Sequence, residues 1–257
     1  MTSFQATGSP TQSTTRDIDT AGAILISSNF GSNRGFGWVS GAQSSIRSLI
    51  AKSVAHQLSQ LPERSDEFPP EWTPIIHVGR HDQAISVVEI LAHDSTVLGE
   101  FSTEPKIAAN HYNLIFPETV QLTATALANP WQEVLTLSGA ALSSGIIARA
   151  TWTGLKNANE ILDFFLRLTT FRNARSFRIA ELRQQAIRDQ SDTVKKIIDD
   201  IGGNDLGRAV IAAELIGAAI EVPREILQSV EFREITDEEA DIRRREILRA
   251  INPTIDE

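Results

Sequence analysis

A glycine-rich segment near the start of the chain, "NFGSNRGFG", carries residue types that could bind a phosphate group. It follows an apolar run, precedes a segment of helical periodicity, and has glycines at Gly31, Gly35 and Gly37. Glycine lets the backbone approach a ligand closely, and the first amides of a helix are free to bind an anion. No Lys-Ser/Thr pair of a P-loop follows, and Gly35, Gly37 and Gly41 do not have G-x-G-x-x-G spacing. The segment is therefore either an anion-binding turn or a flexible surface loop.

Two arginines indicate which anion the turn would take. Arg34 lies inside the turn, and Arg80 follows the apolar run "IIHVG". A guanidinium group at the end of a second strand would pair with a 2′-phosphate, which an acidic residue would repel. This pattern predicts NADP(H) rather than NAD(H) as the cofactor. The alternative for Arg80 is an ordinary solvated strand end.

Four further residues follow in an order that, with the G-x-x-x-G-x-G turn, resembles the short-chain dehydrogenase/reductase family. "YNLIFPETVQ" contains Asn113, "EVLTLSG" contains Ser138, and "WTGLK" places Trp152 four residues before Lys156. In that family a Tyr-x-x-x-Lys pair follows a catalytic serine, so tryptophan stands here in place of the tyrosine. The resemblance covers about residues 21–235 and is weaker towards the end of that range.

The resemblance implies a role for each residue. Lys156 would bind the nicotinamide ribose, Ser138 would orient the substrate, and Asn113 would help to hold a proton-relay water. An indole N–H is no usable acid near neutral pH, so Trp152 could not protonate an alkoxide, whereas hydride transfer to a cationic C=N carbon needs no such proton. The implied catalytic residues are Ser138, Trp152, Lys156 and Asn113; the implied NADP(H)-binding residues are Gly31, Ser32, Asn33, Arg34, Gly35, Phe36, Gly37, Arg80 and Lys156.

The expected function is that of an atypical NADP(H)-dependent reductase of the short-chain type. Its small-molecule substrate would be an imine, an iminium or another activated compound of secondary metabolism, and a cyclisation could accompany the reduction. The alternatives are a redox-inactive relative that acts as a cyclase, binding scaffold or oligomeric structural protein, and a virion or filament subunit. No metal site is predicted, because Gly79 and the strand pattern argue against a helical zinc pair at His77 and His81.

These residues would need a framework of strands and helices to position them. "AGAILISS" predicts a strand, residues up to about Leu61 a helix, "IIHVGR" a strand and "QAISVVEILAH" a helix. This alternation predicts an α/β fold, a Rossmann-like doubly wound parallel sheet with helices on both faces. The sheet could have fewer than seven strands. The expected organisation is a polar arm over 1–20, the α/β domain over 21–235, and a C-terminal helix and tail over 236–257.

The same periodicities predict the strands and helices in the rest of the chain. "STVLGEF" predicts a strand, "PETVQLTATALA" a helix, "QEVLTLSG" a strand and "WTGLKNANEILDFFLRLT" a helix. "RSFRIAEL" fits a strand, although "RIAELRQQAIRD" also allows a helix. Two helices should end near Gly202 and Pro223, followed by a strand in "LQSVEFREI". A final helix should begin at Thr236, which stands at capping-box spacing from Glu239.

Composition limits the classes of partner. The chain has 257 residues, a net charge of −9 and no cysteine, which argues against general nucleic-acid binding and excludes thiol catalysis. An arginine and phenylalanine cluster in "FRNARSFR" fits a solvated strand edge better than a nucleic-acid surface. With no apolar run of bilayer length and no signal-peptide pattern, the expectation is a cytoplasmic protein without membrane contact. The apolar helix over 152–170 predicts a homodimer or homotetramer.

Overall fold

The computed structural model describes residues 22–30, 34–61, 119–126, 130–137, 139, 141, 145–169, 178–203 and 206–251. These residues form four strands and seven helices. In chain order the elements are β1 (Ala23–Ser28), α1 (Phe36–Ser59), β2 (Val120–Ala126), β3 (Trp131–Leu137), α2 (Gly145–Leu168), α3 (Ile179–Arg188), α4 (Asp192–Ile201), α5 (Leu206–Glu221), α6 (Arg224–Ser229), β4 (Val230–Ile235) and α7 (Asp237–Ile251).

The strands form one antiparallel sheet in the order β2-β3-β1-β4. Strand β1 lies inside the sheet and pairs with both β3 and β4, so that Ile24 is opposite Leu135 on one side and Glu234 on the other. Both faces of β1 are buried, which explains its unbroken apolar run. Ile24 and Ile26 belong to the main core with the helices α1 and α2, whereas Ala23 and Leu25 pack with α7.

The prediction of a Rossmann-like doubly wound parallel sheet is wrong. Each strand pairing in the described sheet is antiparallel. Apolar strands that alternate with helices do not by themselves fix strand direction, and β2 and β3 follow each other directly with only residues 127–130 between them. A connection that short joins antiparallel strands, because a parallel crossover needs a dozen or more residues.

The predicted helix in "PETVQLTATALA" is also wrong, because residues 120–126 form β2. Alanine and leucine favour a helix, but Thr123 and Thr125 are β-branched and the segment gains a hydrogen-bonded partner in β3. The Thr123 hydroxyl donates to the Val134 carbonyl at 3.0 Å, beside a register shift between Leu122 and Ala124. Tertiary pairing therefore overrides local propensity here.

Several other element predictions are confirmed. These are β1, α1, β3, the helix that is now part of α2, the ends of α4 and α5, the strand β4, and α7. The amide of Glu239 donates to the Thr236 hydroxyl at 3.2 Å, which is the expected cap of α7. The open choice at "RIAELRQQAIRD" is settled as the helix α3. The predicted strands "IIHVGR" and "STVLGEF" and the helix "QAISVVEILAH" lie outside the described residues.

The helix α1 is the centre of the packing and contacts both α2 and α5. It crosses α2 closely at Gly154, where an added Cβ would lie 2.6 Å from the Val54 Cα. The Ser53 hydroxyl donates to the Gly154 carbonyl at 2.7 Å across the same contact. No helix in the described part of the chain has the length and apolar character that crossing a bilayer requires.

Candidate functional site

The start of α1 is an uncapped helix N-terminus beside the end of β1. Gly35 is the N-cap residue in extended conformation (φ −69°, ψ 152°), and no side chain caps the helix. The amides of Trp38 and Val39 donate to the Gly35 carbonyl at 3.0 and 3.2 Å. The first turn of α1 contains no acidic residue. The first amides of a helix have no partner within it, so this end attracts negative charge.

The surface around this helix start is open. A Cβ added at Gly35, Gly37 or Gly41 would meet no atom of the described residues within 4 Å. Phe36, between the first two of these glycines, is 73% exposed. Packing therefore does not require glycine at these positions, and a ligand could approach the backbone.

Arg34 stands next to the helix start and is held by two contacts. Its guanidinium carbon lies 4.6 Å from the centre of the Trp38 ring, within cation–π range. Its Nη2 donates to Glu225 Oε1 at 3.1 Å, and both side chains are substantially exposed. An exposed ion pair of this kind contributes about 0–1 kcal/mol, so Glu225 holds Arg34 only weakly.

An aromatic cluster anchors this end of α1 to the sheet. Phe30 packs edge-on against Trp38 with ring centres 5.4 Å apart, and stacks on Trp131 of β3 at 5.8 Å. Trp131 is fully buried, and its indole Nε1 has no hydrogen-bond partner among the described residues. Gln43 Nε2 is likewise buried without a described partner. These contacts fix the position of the uncapped amides relative to β1 and β3.

A buried carboxylate ties the next part of α1 to the sheet. Glu133 of β3 is fully buried, and Arg47 of α1 donates from Nε to its two oxygens at 2.9 and 3.2 Å. The Thr125 hydroxyl adds a hydrogen bond to Glu133 at 3.3 Å. Because the carboxylate is buried and paired within the chain, its role is to hold α1 against β3.

A second polar cluster lies farther along α1, against α4 and α5. Lys52 Nζ lies 2.7 Å from Glu214 Oε2, and the two side chains are only 9% and 1% exposed. His56 Nε2 and Gln60 Nε2 both lie 2.8 Å from Asp200 Oδ2. Burial raises the pKa of Asp200, but the hydrogen bond and charge of His56, with smaller effects of Gln60 and Lys196, outweigh it and hold that pKa below its ordinary value of 3.8.

This second cluster was not predicted from the sequence. Its signal was a charged and a titratable residue, Lys52 and His56, four positions apart in the mainly apolar stretch "LIAKSVAHQL", and Glu214 inside the apolar run "VIAAELIGAA". Charges placed in such runs indicate buried pairs. Identifying the partners required the tertiary structure.

The structure places two of the predicted site residues away from the helix start. Lys156 is exposed, with Nζ 2.8 Å from Glu234 Oε1 and 5.7 Å from the centre of the Trp152 ring. Glu234 is opposite Ile24, and Ile24 lies four residues before the last residue of β1. At about 3.3 Å per residue this is roughly 13 Å from the end of β1 that leads into the turn. Lys156 therefore pairs with the end of β4 that lies beside the start of β1, whereas Arg34 contacts Glu225 of α6 and Trp38 of α1.

The other predicted residues divide into two groups. Arg34, Gly35, Phe36 and Gly37 surround the start of α1, as the geometry above describes. Six lie outside the described residues: Gly31, Ser32, Asn33, Arg80, Asn113 and Ser138. Within the described ranges, no group of three or more His, Asp or Glu side chains is arranged to hold a metal ion.

The apolar residues that motivated the predicted dimer helix are buried inside the chain itself. Phe164, Phe165 and Leu168 are each at most 1% exposed and belong to the main core. A second subunit is therefore not needed to cover them, and oligomerisation through 152–170 stays an untested prediction without this support.

The fold and the two polar regions were compared with known proteins. Neither protein-family models, nor curated proteins, nor solved structures give a match to this chain.

Proposed function

We propose that this protein binds a phosphate-bearing ligand at the start of α1, with NADP(H) as the first candidate. The observation that carries the proposal is the uncapped first turn of α1, with Arg34 beside it and three glycines that face open space. Free amides together with a guanidinium group are the donors that proteins use for phosphate oxygens.

The interaction energies available to an anion at the helix start are larger than that of the exposed ion pair between Arg34 and Glu225. The helix N-terminus contributes about 0.3–1 kcal/mol to a bound charge, and a hydrogen bond from a charged group about 1.5–3 kcal/mol. The exposed Glu225 pair contributes about 0–1 kcal/mol. The contacts that a phosphate with two negative charges would make at this site therefore exceed the contact that Arg34 would lose on leaving the Glu225 carboxylate.

This proposal covers binding of the ligand and does not include reductase activity. The Lys156 ammonium pairs with Glu234 at the other end of β4, so the ligand at Arg34 would need a different group to position a nicotinamide. Imine or iminium reduction accordingly stays a separate proposal, tested by NADPH oxidation with a panel of imines. A protein that binds NADPH but oxidises none of it on that panel would be the redox-inactive binding protein that is the second candidate.

The test is a titration of Trp fluorescence with inorganic phosphate, NADPH and NADH. Trp38 contacts Arg34 and should report binding. We expect Arg34→Glu to weaken NADPH binding about tenfold or more, as loss of roughly 1.5 kcal/mol implies. The matched control is Arg183→Glu, which alters another exposed arginine paired with a carboxylate, Asp199. Equal effects of the two substitutions, or no saturable binding of any ligand, would refute the proposal.

A further inference from the structure

The strand β4 is an edge of the sheet. Of the strands that the structure describes, only β1 pairs with it. Its sequence, "VEFREI", places the exposed Glu231 and Arg233 on either side of Phe232, which is half-buried. The backbone groups along the outer side of an edge strand are available to another strand.

We propose that β4 pairs with β4 of a second copy of this chain, antiparallel and centred on Phe232. The pairing would join two four-stranded sheets into one continuous sheet related by a twofold axis. In this register Glu231 lies opposite Arg233 of the other copy, and Arg233 lies opposite Glu231. Opposite charges directly across an antiparallel pair contribute about 0.2–1 kcal/mol each.

The charge pattern selects this register over its neighbours. In a twofold-symmetric pair, α1 and α2 of both copies lie on the same face of the joined sheet. Directly opposite residues of an antiparallel pair also point to the same face, so the twofold axis must pass through a residue position of β4. An axis at Glu231 would place that carboxylate against its own copy, and an axis at Arg233 would do the same with two guanidinium groups. Only the axis at Phe232 places a carboxylate opposite a guanidinium group at both flanking positions.

The side chains on the two faces suit this pairing. Phe232 and Val230 pack against the main core on the helix side, so the central contact is apolar. On the other side, Arg233 is 53% exposed and is already held by Glu239 of α7, with Nη1 3.4 Å from Oε2. Edge strands that resist pairing commonly carry charged side chains, especially lysine. The charges at Glu231 and Arg233 have opposite signs, so in this register they attract a second copy of β4.

The test uses two charge reversals, first separately and then mixed. Two copies of Glu231→Arg would bring only positive side chains together, and two copies of Arg233→Glu only negative ones. Each variant alone should dimerise at least about tenfold more weakly than the wild-type protein. An equimolar mixture should form a heterodimer, because a positive strand then faces a negative one. Analytical ultracentrifugation of all four samples measures this directly.

A control substitution on α7 separates pairing from general surface charge. Arg243→Glu changes a partly exposed arginine of α7 that pairs with Glu246 and not with a residue of β4, and should leave dimerisation unchanged. Circular dichroism of each variant establishes that the fold is retained. A wild-type protein that stays monomeric at about 100 μM, a dimer unaffected by the single reversals, or a mixture that remains monomeric would each overturn the proposal.

Discussion

Gly37 and Gly154 are both glycines in 24-residue helices, but the space around them differs completely. A Cβ at Gly37 would meet nothing within 4 Å, whereas one at Gly154 would lie 2.6 Å from a backbone atom of Val54. The first lies at the open start of α1, and the second lies where α2 crosses the middle of α1. A glycine that faces open space leaves its backbone accessible to a ligand, and a glycine at a helix crossing allows two helices to pack closely.

The charged residues of the two regions differ in the same way. Arg34 and Glu225 at the open end are exposed, so their pair can exchange for a ligand. Lys52 and Glu214 in the closed region are buried, and no ligand is needed to satisfy their charges. The proposed binding site therefore lies at the exposed start of α1, whereas the buried middle of α1 contributes to stability.

The largest expected effect follows from breaking the buried ion pair. Lys52→Met leaves the Glu214 carboxylate buried, and Oε1 of that residue already accepts no hydrogen bond from a described residue. We expect the free energy of unfolding to fall by about 3–5 kcal/mol. Urea denaturation measures the change. Lys156→Met is the matched control, because its pair with Glu234 is exposed and should contribute about 0–1 kcal/mol.

A double substitution shows whether burial of an unpaired charge is the cause. Lys52→Met combined with Glu214→Leu removes both charges and should recover most of the lost stability. If the double variant is as unstable as Lys52→Met alone, the loss comes from packing and the assignment to the ion pair is wrong.

A smaller loss is expected at the crossing of α1 and α2. Gly154→Ala forces the two backbones apart, because the atom nearest to the new methyl group is the Val54 Cα and not a flexible side chain. We expect a loss of about 1–3 kcal/mol in thermal or urea unfolding. Gly41→Ala, at an open position of α1, should cause no loss, and equal losses would contradict the close crossing.

The pH dependence tests the contact between α1 and α4. The pKa of Asp200 is depressed in the folded protein, mainly because the contact with His56 outweighs burial. A depressed carboxyl pKa gives stability that is full above about pH 3.8 and is lost as the pH falls through the lower folded value. Asp200→Asn should therefore lose less stability than the wild-type protein over that acid range. The same acid dependence in both proteins would contradict this role.

Elements that depend on neighbouring residues could be predicted from the sequence, whereas contacts between residues distant in sequence could not. β1 was predictable because its apolar run is local, and the end of α4 was predictable because Gly202 follows it. The antiparallel pairing was not, since strand direction depends on which segments meet. Likewise Lys52 is visible as a charge in a mainly apolar stretch of α1, but its partner Glu214 is distant in sequence.

The candidate site shows the same limit. Arg34 and the glycines were singled out from the local sequence, but α1 already begins at Phe36, so Gly37 lies in the first turn of the helix and not in a turn before it. The spacing of Trp152 and Lys156 suggested a catalytic pair, but in the fold Lys156 contacts Glu234 and Gly154 between them serves the helix crossing. A sequence motif fixes spacing along the helix, and it does not fix which element faces that helix.

The smallest expected stability change is a gain at the open end. Gly37→Ala places a methyl group in open space in the first turn of α1, where alanine is the better helix former. We expect stability to rise by about 0.5–1 kcal/mol. Thermal unfolding measures it, and a loss of stability would show that the position is more crowded than the structure indicates.

The most direct test of the binding assignment combines this substitution with ligand titration. Gly37 lies in the uncapped first turn and Gly41 one turn farther on, and both face open space, so Gly37→Ala and Gly41→Ala differ mainly in their distance from the free amides. NADPH and inorganic phosphate titrations, followed by Trp38 fluorescence, should show weaker binding for Gly37→Ala and wild-type binding for Gly41→Ala. Unchanged binding in both variants, or no binding by the wild-type protein, would contradict a phosphate site at the start of α1.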